Sequence, residues 1–306
     1  MKMGSGEKRL SFVLFFLSCG ALFCRPARSN PRPQADATPR SWNQPVEPFR
    51  IIGNIYYVGA SDVTSFLIVT PAGDILLDGG FVETASQIET NIKKLGFRLP
   101  DVKILLSSHA HYDHAGGLTE LKRATGATFY ASTGDAPVLE GGGEGDSWFV
   151  HAVTFPPVKP DRLLHDGSGI MFGGMALTAR VTAGHTKGCT TWTTMVNEGG
   201  KSYHVVFVCS TSVLPGIKLL GNQSYPKIAS DYENTFRVLR SLPCDVFLAS
   251  HGSFFDLKDK RNELLRRRKP NPFIDPEGYR AYVDRSEAVF RAELRRQQGS
   301  AKSAAR

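Results

Sequence analysis

The sequence predicts an α/β protein of two similar halves, each a β-sheet covered by helices. Two observations predict it. Short apolar, β-branched runs alternate with amphipathic helical segments, and the β-then-α order occurs twice along the chain. The 306 residues, 41% of them hydrophobic, suffice for one large core in one or two domains. A third observation says where such halves would do chemistry. Strand ends in both run into short polar loops that carry histidine: His109 and His111 in the first half, His185 and His251 in the second.

The first residues do not belong to that core. Lys2, Lys8 and Arg9 precede an apolar stretch over residues 10–23, too short for a comfortable membrane span. Residues 1–29 therefore read as a secretory signal peptide, cut before Ala21 or after Ala35-Asp36-Ala37, with a retained anchor as the alternative. Residues 30–48, rich in proline and small polar side chains, read as an N-terminal arm. Residues 49–298 form the domain, and residues 299–306 are expected to be a disordered tail. The net charge of +8 comes from both ends, notably Arg266-Arg267-Arg268-Lys269, while residues 30–256 are slightly acidic. No basic groove with interleaved aromatics appears, so a nucleic-acid function is excluded.

Within the domain, short strands are expected over 50–58, 65–70 and 75–77, the last two joined by the turn Pro71-Ala72-Gly73-Asp74. Asp78-Gly79-Gly80 ends the third. Ile88, Ile92 and Leu95 give residues 84–95 a helical period. The strand 102–106 leads into the histidine-rich loop, and a helix over 118–125 and a strand over 128–131 follow. Residues 135–161, with Gly141-Gly142-Gly143 and several prolines, form a long irregular stretch of the kind that is functional or disordered. Its Trp148, Phe149 and Phe155 either line a substrate mouth or pack beneath the loop. The second half supplies strands over 170–172, 176–181, 190–196 and 204–209, a helix over 232–242 and a strand over 246–250. An amphipathic helix over 276–296 closes the chain, with Tyr279, Tyr282, Val283, Ser286, Val289, Phe290 and Leu294 on one face.

The chemistry concentrates in Ser108-His109-Ala110-His111-Tyr112-Asp113-His114-Ala115-Gly116-Gly117. His109 and His111, two apart, point the same way from an extended backbone. Asp113 and His114 lie past the bend and can serve a second ion beside the first. Imidazole suits Zn²⁺, and a carboxylate adds charge and hydrogen-bonding reach. Three of the eight histidines within six residues, beside an aspartate, argue against a merely polar loop. His151, His165 and His204 lack such context and read as structural or surface residues. Of the five cysteines, Cys19 and Cys24 lie in the leader. Cys189, Cys209 and Cys244 are odd in number and lack C-x-x-C spacing, so small buried residues are expected and no pair is dictated. A fold that does not depend on a disulfide is the expectation.

The pattern H-x-H-x-D-H, with Thr182-Ala183-Gly184-His185-Thr186-Lys187-Gly188 and Ser250-His251-Gly252 downstream, resembles the metallo-β-lactamase superfamily from about residue 49 to 290. The resemblance implies a four-layer αβ/βα sandwich with two zinc ions per chain between the halves. It implies that His109, His111 and His185 hold one zinc and Asp113, His114 and His251 the other. Members that cleave thioesters, lactones or phosphodiesters usually add a bridging Asp after the strand corresponding to 204–209. Here Phe207-Val208-Cys209-Ser210-Thr211-Ser212 carries no acid. That absence, with Leu220-Gly221-Asn222, Tyr225-Pro226, Ile228 and Asp231-Tyr232, resembles the B3 subclass of zinc β-lactamases.

The implied function is an exported dizinc β-lactamase, periplasmic or secreted and without a stable membrane anchor. Its partner is a small-molecule β-lactam: a penicillin, cephalosporin or carbapenem whose amide is attacked by a zinc-bound hydroxide. Asp113 acts in catalysis, and Ser210 and Ser212, with Thr211 as an alternative, bind the substrate carboxylate. The alternatives are a zinc hydrolase of the same fold acting on a lactone or thioester, and a binding protein with a vestigial site. Two departures stand out. Ile217 follows Pro215-Gly216 where some members carry Tyr, and Tyr279 stands where some pair a Cys with the position of Cys244.

Overall fold

The computed structural model describes residues 40–148 and 153–304. These belong to one compact unit, Pro33–Arg306. The expected signal peptide, the arm up to residue 39, Phe149 and His151 lie outside the described residues. Among the described residues no helix is long and apolar enough to cross a membrane.

The first sheet has seven strands in sequence order: β1 (Phe49–Ile52), β2 (Ile55–Tyr57), β3 (Phe66–Thr70), β4 (Gly73–Leu77), β5 (Val102–Leu106), β6 (Thr128–Ser132) and β7 (Arg162–Leu164). Pairing is antiparallel from β1 to β4 and parallel from β4 to β7. The single strand expected over 50–58 is a hairpin, because Gly53 at φ +54 turns the chain and Asn54 Nδ2 donates to Val69 O at 2.6 Å. The second sheet has five strands in the order β12 (Val246–Ala249), β11 (Lys201–Val208), β10 (Thr190–Glu198), β9 (Met175–Val181) and β8 (Gly169–Phe172). Only β11 and β12 run parallel in it.

Strand alternation builds the layers. In β3 and β4, Phe66, Ile68, Ile75 and Leu77 face the second sheet, where Trp192, Val196, Val205 and Phe207 share their core. Leu67 and Leu76 face the other way, onto Ile88 and Ile92 of α1 (Thr84–Lys94) and Leu118 and Leu121 of α3 (Leu118–Thr125). On the far side, α5 (Ile228–Ser241) and α7 (Pro276–Ala304) pack through Tyr232, Phe236 and Phe290. The result is the four-layer αβ/βα sandwich.

Several expectations change. The stretch 135–161 holds a short helix, α4 (Ala136–Glu140), and Phe155 is buried under it rather than lining a mouth. A charged helix, α6 (Leu257–Leu265), and the three-residue edge strand β7 lack the periodicity that would have announced them. Val289 is 59% exposed, off the buried face of α7. The disordered tail expected from residue 299 is helical through Ala304. That last stretch is tied down by Gln297, whose Oε1 accepts Leu219 N–H at 2.8 Å and whose Nε2 donates to Ile217 O at 2.9 Å.

Cys189 and Cys209 are buried, as expected, and form a disulfide, a pairing that the sequence left open. Pairing of Trp192 with Phe207 in the antiparallel β10–β11 ladder sets them side by side just beyond it, 5.9 Å apart between Cα atoms. Cys244 remains free and half-buried, and Tyr279 instead sends its hydroxyl to Leu239 O at 2.7 Å.

Candidate metal centre

The ends of β5, β9 and β12 meet at one edge of the sandwich, and the candidate ligands come from the loops that leave them. His109 and His111 follow β5, and Asp113 and His114 ride on the single-turn helix α2 (Tyr112–Ala115). His185 sits in the turn from β9 to β10, and His251 lies two residues past the end of β12. The halves are stitched there by Thr64, whose N–H donates to Ser250 O at 3.1 Å and whose hydroxyl donates to Ala249 O at 2.8 Å.

The structure brings the six residues together as two triads. Nitrogens of His109, His111 and His185 all lie within 4.8 Å of one another, with ring centroids 4.6–4.9 Å apart. In the second triad, His114 Nε2 lies 3.2 Å from His251 Nε2 and 3.3 Å from Asp113 Oδ2, and His251 Nε2 lies 3.5 Å from the same oxygen. A tetrahedron with arms of about 2.0–2.1 Å has edges of about 3.3 Å, so these three atoms are spaced as ligands of one zinc. His109 Nε2 is buried with no hydrogen-bond partner among the described residues, which is costly unless a cation takes its lone pair. The donor set fits zinc. The disulfide sulfurs also lie near His109, but bonded to each other they offer no thiolate.

Other polar groups fix the rings by their outward atoms. His185 Nδ1 donates to Ser212 O at 2.8 Å, and His109 Nδ1 pairs with Ser108 Oγ at 3.0 Å. His251 Nδ1 meets Asp62 Oδ2 at 3.0 Å, while Asp62 Oδ1 accepts Ser253 N–H at 2.7 Å. His114 Nδ1 is 3.5 Å from Asp78 Oδ2, and Asp78 Oδ1 accepts Ser108 N–H at 2.6 Å. His111 Nε2 is 3.4 Å from Asp146 Oδ2 in the loop before Trp148. Sequence reading missed all three aspartates. Asp78 had a visible signal, an Asp-Gly-Gly at the end of the strand beside β5; Asp62 and Asp146 had none.

Electrostatics separate the triads. Burial, and then the neighbouring imidazoles, hold His109 well below its ordinary pKa, and burial with His111 pushes His185 down to about 3. Burial disfavours charge on Asp113 and His114 too, but their mutual attraction overrides it. Asp113 is held well below the carboxylate range by His114 and then His251, and His114 rises to about 10 through Asp113 and then Asp78.

Of the expected substrate residues, Ser210 is buried with its Oγ accepting Ser212 N–H at 3.3 Å. Ser212 is half-buried, and its carbonyl serves His185. Thr211 turns away to the Tyr282 hydroxyl of α7 at 2.8 Å. Trp148 is half-buried, and its indole N–H donates to Pro215 O at 3.0 Å, joining two loops. His165 is exposed, and His204 pairs with Asp245 at 3.2 Å, away from the triads.

Known proteins place this architecture. Residues 58–251 match the family described as Metallo-beta-lactamase superfamily. The fold superposes on the native FEZ-1 metallo-beta-lactamase from Legionella gormanii with a TM-score of 0.82, at 44% identity over 84% of this chain and 98% of that one. BJP-1, a subclass B3 metallo-beta-lactamase of Bradyrhizobium japonicum, gives 0.80 at 38% identity, covering 85% and 98%. The class B3 di-zinc metallo-beta-lactamase LRA-12 from an Alaskan soil metagenome gives 0.78 at 37%, covering 83% and 97%. The chain belongs to the metallo-beta-lactamase superfamily, as a zinc-dependent hydrolase of subclass B3.

Proposed function

We propose that the protein is an exported β-lactamase that opens the β-lactam amide of penicillins, cephalosporins and carbapenems with two zinc ions per chain. The observation that carries the reading is the pair of convergent triads in a chain with 44% identity to a metallo-beta-lactamase over nearly that protein's whole length. His109, His111 and His185 would hold one ion, and Asp113, His114 and His251 the other. Two zinc ions so held would supply Lewis acidity and make water a competent nucleophile near neutral pH.

The chain's own side chains do the rest. Asp113, ionised beside His114 and His251, would accept a hydrogen bond from the attacking water and orient it. Ser210 Oγ already accepts an amide proton, which leaves its own hydroxyl proton to donate to the substrate carboxylate, with Ser212 beside it. Positions 209–212 offer no carboxylate between the triads, which speaks against the lactone and thioester reading.

Export rests on the basic-then-apolar segment 1–29. The Cys189–Cys209 disulfide supports it, because such bonds persist in oxidising compartments. The test is hydrolysis of a penicillin and a carbapenem by purified zinc-loaded protein, beside a thioester and an acyl-homoserine lactone. Turnover of the lactams, abolished by chelator and restored by zinc, is expected; turnover of the thioester or lactone alone would overturn the proposal.

A further inference from the structure

Asp135 is 2% exposed and takes no part in the reaction proposed above. It stands in the turn between β6 and α4, and three donors from two other loops aim at its carboxylate. Oδ2 accepts Ala110 N–H at 3.0 Å and the Thr186 hydroxyl at 2.8 Å; Oδ1 accepts Gly188 N–H at 2.8 Å. Ala110 is the residue between His109 and His111, and Thr186 follows His185. One carboxylate therefore joins the loop that carries two members of the first triad to the loop that carries the third.

The contact is built into the backbones. A Cβ on Gly188 would lie 2.0 Å from Ser132 Oγ and 2.3 Å from Asp135 N, and one on Gly134 would lie 2.5 Å from Lys187 O. Ser132 Oγ adds a bond to Gly188 O at 2.7 Å across the same seam. All the side-chain bonds of Asp135 go to these two loops, whereas the second triad is backed by Asp78 and Asp62.

We infer that Asp135 is the positioning residue of the first triad: by clamping the two loops it sets that triad's geometry, and hence its metal affinity, without touching metal or substrate. The inference rests on reading His109, His111 and His185 as the ligands of one ion. Asp135→Asn keeps the size of the side chain, but both oxygens now accept backbone N–H groups. Either orientation of the amide therefore sets an NH₂ group against a donor, Gly188 N–H or Ala110 N–H.

The substitution is to be made in two single-triad backgrounds, His251→Ala and His185→Ala, and zinc affinity measured by competition with a chromophoric chelator. In His251→Ala, Asp135→Asn should weaken zinc binding about 10- to 100-fold, the usual effect of losing an outer-shell partner. In His185→Ala it should change binding less than about threefold. Thr186→Val removes one donor and leaves the carboxylate, so it should weaken the first triad in the same direction but less. It serves as the second variant if Asp135→Asn fails to fold. Asp74→Asn, at another buried carboxylate, on a residue in register with Val102 near the starts of β4 and β5, should lower thermal stability and leave both affinities unchanged.

Unchanged affinity in the His251→Ala background would overturn the inference. Equal losses in both backgrounds would do the same, by showing a role in the fold as a whole. No zinc bound by the His251→Ala parent would overturn the ligand reading itself, and the inference with it.

Discussion

The two triads adjoin, with the rings of His109 and His114 4.2 Å apart between centroids, yet their surroundings differ. His109 and His185 in the first lean on neutral groups, the Ser108 hydroxyl and the Ser212 carbonyl, and burial keeps both imidazoles uncharged. In the second, both histidines face carboxylates, Asp78 behind His114 and Asp62 behind His251, and Asp113 stands among the ligands. In the first, His111 alone has a carboxylate beside it, Asp146 at 3.4 Å, and the seam between the halves makes the site rigid. The second is an anionic site that attracts a cation strongly but holds a proton on His114 until the cation displaces it. Two ions of the same element would thus be bound by different physics.

The most severe way to break the comparison is Asp113→Ala. It removes the only carboxylate among the six candidate ligands, together with the group proposed to orient the attacking water. The expected result is a fall in kcat of more than about 100-fold with loss of one zinc per chain, because truncating a substrate-anchoring serine costs only about 1.5–3 kcal/mol. Retention of two zincs and most of kcat would place the second ion elsewhere.

Reduction of Cys189–Cys209 strikes the other side. Cys209 Sγ lies 3.2 Å from the carbonyl of Ser108, the residue before His109, so the disulfide forms the floor of the first triad. Closing a loop with a sequence separation of 20 stabilises the fold by about 3 kcal/mol in the chain-entropy account. Calorimetry under a dithiol reductant should show Tm falling by roughly 6–12 °C. An unchanged Tm with the bond demonstrably reduced would restore the expectation drawn from sequence.

The pairing itself went unread for a reason that also marks the limit of sequence reading here. Strand ends bearing histidines were legible because ligands must cluster and because apolar alternation announces strands; His109, His111, Asp113, His114, His185 and His251 all fell in such places. Contacts set by the pairing of distant strands were not. Cys189 and Cys209 meet only because β10 and β11 pair in one register, and Asp62 reaches His251 from 189 positions away. Trp42, in a segment read as an N-terminal arm, receives the N–H groups of Asp62 and Val63 on its carbonyl and packs its ring in a T shape against His251, centroids 5.1 Å apart. No local pattern encodes such partnerships.

Asp62→Asn sharpens the comparison, since it replaces an anion by a neutral group resembling the backing of His109 and His185. Zinc affinity of the second triad should fall about 10- to 100-fold while the first is unchanged. The proton on His114 gives the same contrast as a pH dependence. With His114 raised to about 10 in the metal-free protein, an ion entering there must displace roughly one proton. Affinity of the second triad should therefore rise about tenfold per pH unit below that value. His109 and His185, held low, have no proton to lose near neutrality. Titration calorimetry in buffers of different ionisation enthalpy counts the protons released, and equal release from both triads would erase the distinction.

The smallest expected effect comes from Tyr232→Phe, and it tests whether neutral backing matters at all. The Tyr232 hydroxyl donates to Ser212 O at 2.7 Å, the same carbonyl that receives His185 Nδ1. Its ring also lies flat against the backbone just before His185, where a Cβ on Gly184 would come within 2.7 Å of it. Replacing Tyr by Phe keeps that packing and removes one neutral hydrogen bond, worth about 1 kcal/mol. The Ser212 carbonyl keeps its bond from His185, so the imidazole stays in its tautomer and both zincs remain bound. The expected outcome is a loss of thermal stability of a few degrees and a weakening of the first triad of no more than about fivefold. A larger loss of zinc from the first triad than Asp62→Asn causes in the second would mean that the neutral carbonyl, not the carboxylate, is the more demanding support. The ranking of the two triads would then reverse.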